Sequence, residues 1–322
     1  MVRNRLAAFL PFFCAPAAAR ASAPMPAMPE PQVTTAHAFT GRACAASRHE
    51  ESMRYDALFY DPLAARLAGQ EGLKSPMGEW IMVPRTRWGD DFLWHHYKKA
   101  DMPCRQVVLL GAGMDARAFR LDGMPDLVYF EVDQETTFDV KEPLLDGYKP
   151  LARERRVVAA DFTHKQGPHS WKEQLLEAGF LTDVPSVWLL EGLMMYLSLS
   201  DQKLLMRNIG DLSAPGSAIF HDAISANYLK RGINVMGAPF IGGTDSYGRL
   251  WSEEAGFQAT LFDFQSVVVD RAQRVLRLSN RRGMGQCTEV MLSGKDVILF
   301  VEAVKPAKWT KLGQAPADKS DV

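Results

Sequence analysis

Apolar residues recur in five short runs, at residues 107–110, 127–130, 157–160, 186–190 and 217–220, each the length of a buried strand. Between them lie stretches with helical spacing, at 114–120, 134–146, 171–178 and 202–212. Gly179 is a natural helix stop, Asp201 a good N-cap, and Pro215-Gly216 a turn; Pro143 is expected to end the second of these helices early. Strands alternating with helices predict an α/β fold built on a doubly wound, mostly parallel sheet. Two late runs, 258–264 and 297–304, have little between them that reads as helix, and they predict an antiparallel edge strand. Upstream, Ala43, Ala46, Met53, Ala57 and Leu58 give residues 37–60 a helical face, broken at Asp61-Pro62 and resumed over 63–68. A further helical stretch surrounds residues 85–93, completing an N-terminal helical extension. Residues 227–248 are glycine-rich and irregular, and 250–255 form a short helix.

The first sheet run leads into Gly111-Ala112-Gly113, and the second is followed by Glu131 and Asp133. Strand, tight glycine turn, helix, strand and acid make the pattern of a nucleotide-binding βαβ unit. Glycines let the backbone turn sharply and approach a ligand, and a terminal carboxylate can accept from the vicinal hydroxyls of a ribose. Gly111, Gly113 and Ala116 also satisfy the relaxed dinucleotide fingerprint, so NAD and S-adenosylmethionine both remain open at this stage. The predicted sheet offers five strand ends in a row, at Gly111, Asp133, Asp161, Glu191 and His221. Ligands of such sheets bind outside those ends.

Composition narrows the class. A hydrophobic share of 47%, a charged share of 23% and a net charge of -1 describe an ordinary globular protein, with no reason to expect nucleic acid or an anionic membrane as partner. Cys14, Cys44, Cys104 and Cys287 are scattered and suggest neither a disulfide framework nor a metal site. Residues 1–35 carry Arg3, Arg5 and Arg20, no acid before Glu30, and much Ala and Pro. They read as a targeting or disordered segment. A secretory signal would centre on residues 6–19, with Ala21-Ser22-Ala23 as cleavage site; a plastid or mitochondrial transit peptide is the alternative. Without either, a cytoplasmic location is expected. No later stretch is apolar enough to span a membrane, so a soluble domain is expected over 36–305, with a polar, flexible tail over 306–322.

The strand ends are also where the chain resembles a known group. LLGAGMDARAFRL, FEVDQ, AADF and LLEGLMMYL look like motifs of the leucine carboxyl methyltransferase family, and they occur in the right order. PRTRWGDDFL and ASRHEESMRYDALFYDPLAARL resemble the segments that precede the first strand in that family. The resemblance covers residues 40–305 and implies a class I methyltransferase fold, S-adenosyl-L-methionine as cofactor, and transfer of its methyl group to an oxygen. By that resemblance Arg85 pairs with the methionine carboxylate, Gly111 and Gly113 lie under the methionine part, and Asp133 holds the ribose. Asp161 and Phe162 meet the adenine, Glu191 lies near the methionine amino group, and Tyr196 lies near the methyl group.

The implied acceptor is a small molecule or another carboxylate-bearing group. The pocket residues that would suit a protein phosphatase C-terminus are not matched. A carboxylate acceptor needs no base, because it is ionised at neutral pH. A hydroxyl acceptor would need one, and His221 backed by Asp222 is the candidate. The glycine-rich region from Gly232 to Gly248 is expected to shape the acceptor pocket. An NAD-dependent oxidoreductase using the same glycine turn, or a non-catalytic relative, are the competing readings. The first would not require Asp161, Phe162 and Glu191 at their strand ends; the second would not retain the acids and Arg85 together.

Overall fold

The structure is a computed structural model, and it describes residues 36–162, 167, 169–264, 286, 287 and 289–307. The expectations for residues 1–35 and for most of the tail lie outside these residues. Three helices come first: α1 (Ala36–Ser52), α2 (Ala64–Leu73) and α3 (Glu79–Tyr97). Strand β1 (Gln106–Leu110) leads through the one-turn α4 (Arg117–Arg120) to β2 (Val128–Asp133), then α5 (Glu135–Leu145) and β3 (Glu154–Ala159). Next come α6 (Trp171–Glu177), β4 (Ser186–Leu190), a 3-10 turn at Met194–Tyr196, α7 (Leu199–Leu212) and β5 (Ala218–Ile224). The chain continues through α8 (Ala226–Leu229), the hairpin β6 (Asn234–Val235) and β7 (Ala238–Pro239), then α9 (Tyr247–Ala255) and β8 (Gln258–Asp263). It closes with β9 (Gln286–Cys287), α10 (Glu289–Leu292) and β10 (Ile298–Val304).

The main sheet runs β3-β2-β1-β4-β5-β10-β8-β9. The first five of these strands are parallel, as predicted, and β10 lies antiparallel between β5 and β8. The sheet therefore has the expected antiparallel edge, formed by β10, β8 and the two-residue β9, with β10 on its inner side and β9 outermost. The chain winds outward from β1 to β3, then crosses to the other side of β1 to form β4. The reversal leaves a crevice at the ends of β1 and β4, where an open parallel sheet binds its ligand.

Alternation along each strand divides two apolar cores. Val107, Leu109, Tyr129, Val187, Leu189 and Phe220 pack on one face against Ala45, Leu67, Trp88 and Phe92 of the first three helices. Val108, Leu110, Phe130, Trp188, Leu190 and Ile219 pack on the other against Trp171, Met206 and Trp251. β1 is buried along its whole length, as its unbroken Val-Val-Leu-Leu run requires.

Local differences from the sequence reading have physical causes. α1 stops at Ser52 because side chains take over its end: Ser52 Oγ accepts from the Asp61 amide at 2.9 Å, and Glu51 Oε1 accepts from the Leu58 amide at 2.7 Å. α7 starts at Leu199, and its N-cap is Ser198, whose Oγ accepts from the Asp201 amide at 3.2 Å, rather than Asp201 itself. Pro143 sits inside α5, in its last turn, without ending it. Residues 114–120 contain only the single turn of α4, because Asp115 accepts from the Arg117 amide at 2.7 Å and holds the preceding loop. β2 extends to Asp133, because Glu131 is a fully buried strand residue compensated by Lys141 at 2.7 Å and by Arg155 at 2.7 Å. Among the described residues, no helix is long and apolar enough to cross a membrane, and no group of His, Cys, Asp and Glu could hold a metal.

Candidate active site

The crevice begins at the glycine turn. Gly111 and Gly113 both have left-handed backbones, with φ of 71° and 45°, which a side chain would strain. The Gly113 amide donates to Asp133 Oδ2 at 2.7 Å, so the turn is tied to the acid at the end of β2. Asp133 Oδ1 accepts from the Gln134 amide at 2.7 Å and from Thr137 Oγ1 at 2.9 Å. A carboxylate has roughly four acceptor positions, so Oδ2 retains room for a hydroxyl. α1 crosses above the turn, its Gly41 lying against Met114 and Gly113. Nη2 of Arg48 donates to the Met114 carbonyl, and its Nε to Asp61 at 2.9 Å.

At the end of β4 stands Glu191. Arg117 Nη2 lies 2.7 Å from its Oε1, an ion pair whose angle leaves that oxygen without a hydrogen bond. Arg85 Nε lies 3.7 Å from its Oε2 and is likewise buried without a hydrogen bond. Burial, the largest influence, pushes the Glu191 carboxyl up to about 7, against the pull of Arg117 and Arg85. Arg85 stays charged: burial opposes its charge, but Asp222, Cys44 and Glu191 more than offset this. Its Nη1 donates to Asp222 Oδ2 at 2.8 Å, and its Nη2 meets Met82 Sδ at 3.2 Å.

A layer of charges supports these two residues from α3 and α4. Arg117 donates to Asp90 at 2.7 Å, to Asp115 at 2.6 Å and to the Thr86 carbonyl at 3.2 Å. Arg120 grips both oxygens of Asp90 at 2.7 Å, in the two-pronged geometry that suits guanidinium and carboxylate. Burial alone would raise Asp115, but Arg117 and Arg120 hold it down at about 2.

Arg85, Gly111, Gly113, Asp133 and Glu191 thus gather around one crevice. Asp161 and Phe162 follow β3, next to the Ala160 amide that donates to the Asp133 carbonyl at 2.8 Å; the Phe162 ring lies 6.3 Å from Trp171. Tyr196 sits in the 3-10 turn beyond Glu191, edge-on to Phe240 at 5.1 Å. Burial pushes its phenol up to about 12. The glycine-rich segment docks on the same turn, with the Ile241 and Gly242 amides donating to the Met195 carbonyl at 2.9 and 3.1 Å.

His221 is not at a strand end. β5 runs on to Ile224, and His221 lies in its middle, fully buried on the face away from Asp222. Its Nε2 accepts from Trp251 Nε1 at 2.8 Å, and burial lowers its pKa to about 4. Nor does Asp222 back it, since the Asp222 carboxylate is directed to Arg85 and to the Gly192 amide. A period of two separates adjacent strand residues onto opposite faces, and the predicted end at Phe220 concealed this. Arg117 and Asp90 are the site residues that the sequence reading missed, and Asp222, expected behind His221, serves Arg85 and Gly192 instead. The signal for the missed pair was present as charges inside otherwise apolar motifs, at Asp90 and at the Asp115, Arg117, Arg120 cluster.

A family model described as leucine carboxyl methyltransferase matches residues 40–210. A Streptomyces coelicolor protein, provisionally named an S-adenosyl-L-methionine-dependent methyltransferase, is 41% identical over 139 residues, which cover 43% of this chain and 44% of that protein. A similarly named Parafrankia protein is 36% identical over 196 residues, covering 56% and 61%. The chain thus spans about half the length of these curated relatives. Among solved structures, a DUF574 family protein from Streptomyces avermitilis is similar over 81% of this chain and 97% of its own, with a TM-score of 0.49 and 15% identity.

Proposed function

Because the chain belongs to the leucine carboxyl methyltransferase family, we propose that it transfers a methyl group from S-adenosyl-L-methionine to an oxygen of a small or otherwise carboxylate-bearing acceptor. The observation that carries this reading is the buried pair of Arg85 Nε and Glu191 Oε2, 3.7 Å apart beside the glycine turn, with the arginine nitrogen lacking a hydrogen bond. One is a buried cation and the other a buried acid, and an amino-acid group supplies the complement of both. In this reading Arg85 receives the methionine carboxylate and Glu191 the ammonium. Asp133 accepts a ribose hydroxyl on Oδ2, and Asp161 and Phe162 receive the adenine.

When bound, the cofactor supplies a methyl group already activated on a sulfonium. The chain then has to align an acceptor and exclude water. Of the acids in the crevice, Glu191 is taken by the ammonium and Asp133 by the ribose in this reading, which leaves neither as a base for the acceptor. His221 faces the opposite core, and Tyr196 with a pKa of about 12 keeps its proton at neutral pH. These facts favour an acceptor that is already ionised, a carboxylate, over a hydroxyl. Tyr196 and Phe240 line the approach to it in this reading.

Calorimetric titration of the full chain with S-adenosyl-L-methionine, with NAD and NADP in parallel, tests the cofactor. Binding of S-adenosyl-L-methionine alone, lost in Asp133→Ala, is the expected result. Binding of NAD without S-adenosyl-L-methionine would overturn the reading, and silence from all three would favour a non-catalytic relative.

A further inference from the structure

β5 carries a charge in its interior that neither its own strand nor the opposite core uses. Asp222 is 1% exposed and lies on the sheet face turned toward α3. A buried carboxylate requires partners, and each oxygen of this one has a single partner in the crevice. Oδ2 accepts from Arg85 Nη1 at 2.8 Å, and Oδ1 accepts from the Gly192 amide at 2.6 Å. Gly192 is the residue after Glu191. One side chain therefore fixes both the guanidinium that rises from α3 and the turn that presents Glu191. The fit is close: a Cβ at Gly192 would stand 3.1 Å from Arg85 Nη1.

We infer that Asp222 is a positioning residue of the cofactor site, one that sets Arg85 against Glu191 so that the two receive an amino-acid carboxylate and ammonium together. This rests on the reading of Arg85 and Glu191 given above. With Nη1 taken by Asp222 and Nη2 directed at Met82 Sδ, Arg85 is left with Nε as its one nitrogen without a hydrogen bond. That nitrogen is also the one beside Glu191, at 3.7 Å. Asp222 thus decides which edge of the guanidinium faces the ligand. Its carboxylate also keeps a second negative charge beside Arg85, so the arginine does not close onto Glu191 in its place. Asp222 itself makes no contact with the bound molecule in this arrangement.

A purely structural role would weaken every ligand alike, whereas a positioning role acts on the amino-acid end only. S-adenosylhomocysteine and 5′-methylthioadenosine separate the two, because the second retains adenine, ribose and thioether but lacks the amino and carboxylate groups. Both are titrated calorimetrically into the full chain and into Asp222→Asn, which keeps the shape and removes the charge. S-adenosylhomocysteine is expected to weaken by roughly tenfold or more, the scale of one charged hydrogen bond. The affinity for 5′-methylthioadenosine is expected to be unchanged. Equal weakening of both, or of neither, overturns the inference while leaving the proposed function intact. Failure of the unaltered chain to bind either compound overturns the proposed function itself and the inference with it. Asp222→Glu provides a second variant should the first not fold. It keeps the charge one methylene further out, and is expected to weaken S-adenosylhomocysteine selectively but less than Asp222→Asn; a parallel loss of both ligands overturns the inference.

Discussion

Nε1 of Trp251 donates to Nε2 of His221 at 2.8 Å, and this bond, made across the core between β5 and α9, removes the histidine from acid-base chemistry in the crevice. An imidazole nitrogen that accepts from an indole must be unprotonated, and burial lowers the His221 pKa from its ordinary 6.5 to about 4. A depressed pKa on a base means that the fold favours the neutral ring. Its contribution to stability is therefore present above pH 6.5 and is lost as pH falls through about 4. His221→Leu is expected to lower unfolding stability by about 1–3 kcal/mol through the unpaired indole, while the pH-rate profile near neutrality keeps its shape. Loss of a neutral limb in that profile, at unchanged stability, would restore His221 as a base.

Glu191 carries the opposite sign. Its carboxyl is raised from an ordinary 4.5 to about 7, because burial outweighs Arg117 and Arg85. A raised pKa on an acid means that its stabilising contribution is complete below pH 4.5 and is lost as pH rises through about 7. Ligand affinity should move the other way, since an ammonium is held by the ionised form. S-adenosylhomocysteine binding is thus expected to strengthen between pH 6 and 8 while the melting temperature of the free protein declines. In Glu191→Gln the binding curve is expected to flatten over this range. A pH-independent affinity in the unaltered chain would separate Glu191 from the ammonium.

The parallel strands and the glycine turn were legible because their signals are local. An unbroken apolar run such as Val107 to Leu110 can only be buried on both faces, and Gly111 and Gly113 stand where a side chain would be strained. Asp133 was legible for the same reason, as a charge following an apolar run. The end of β5 was not. His221 and Asp222 look like the polar stop of a strand, yet β5 continues through both because each polar group has a distant partner, Trp251 for one and Arg85 for the other. Those partners lie 30 and 137 residues away, beyond any periodicity. The antiparallel edge was legible, but the order of its strands, with β10 rather than β8 against β5, was hidden likewise, since it is decided by tertiary register.

Arg117 should be the least replaceable residue of the supporting layer. It faces Asp90, Asp115 and Glu191 at 2.7, 2.6 and 2.7 Å, with 2% of its side chain exposed. Arg117→Met removes the cation and leaves three acids close together, and the cost of stranding buried charges is about 3–5 kcal/mol. Arg117→Lys retains the charge but cannot reproduce the fork and should recover only part of that loss. Denaturant midpoints of the three proteins measure this. Equal stability of the methionine variant and the parent would mean that the acids are neutralised elsewhere.

The glycine-rich segment offers a test of the proposed acceptor side. A Cβ on Gly242 would overlap the Leu197 carbonyl and the Gln202 side chain, so no other residue fits without displacement. The segment is pinned there by the Ile241 and Gly242 amides on the Met195 carbonyl, and its Phe240 ring rests against Tyr196. Gly242→Ala should push the segment away from the turn and shift Phe240 relative to Tyr196. The glycine turn, Asp133 and the Arg117 layer do not contact Gly242, so S-adenosylhomocysteine affinity is expected to stay constant. Methyl transfer from labelled S-adenosyl-L-methionine across a panel of carboxylates and phenols should fall by roughly tenfold or more, since misplacing an acceptor by about an ångström is costly. Loss of cofactor affinity in step with turnover would instead make the segment part of the cofactor site.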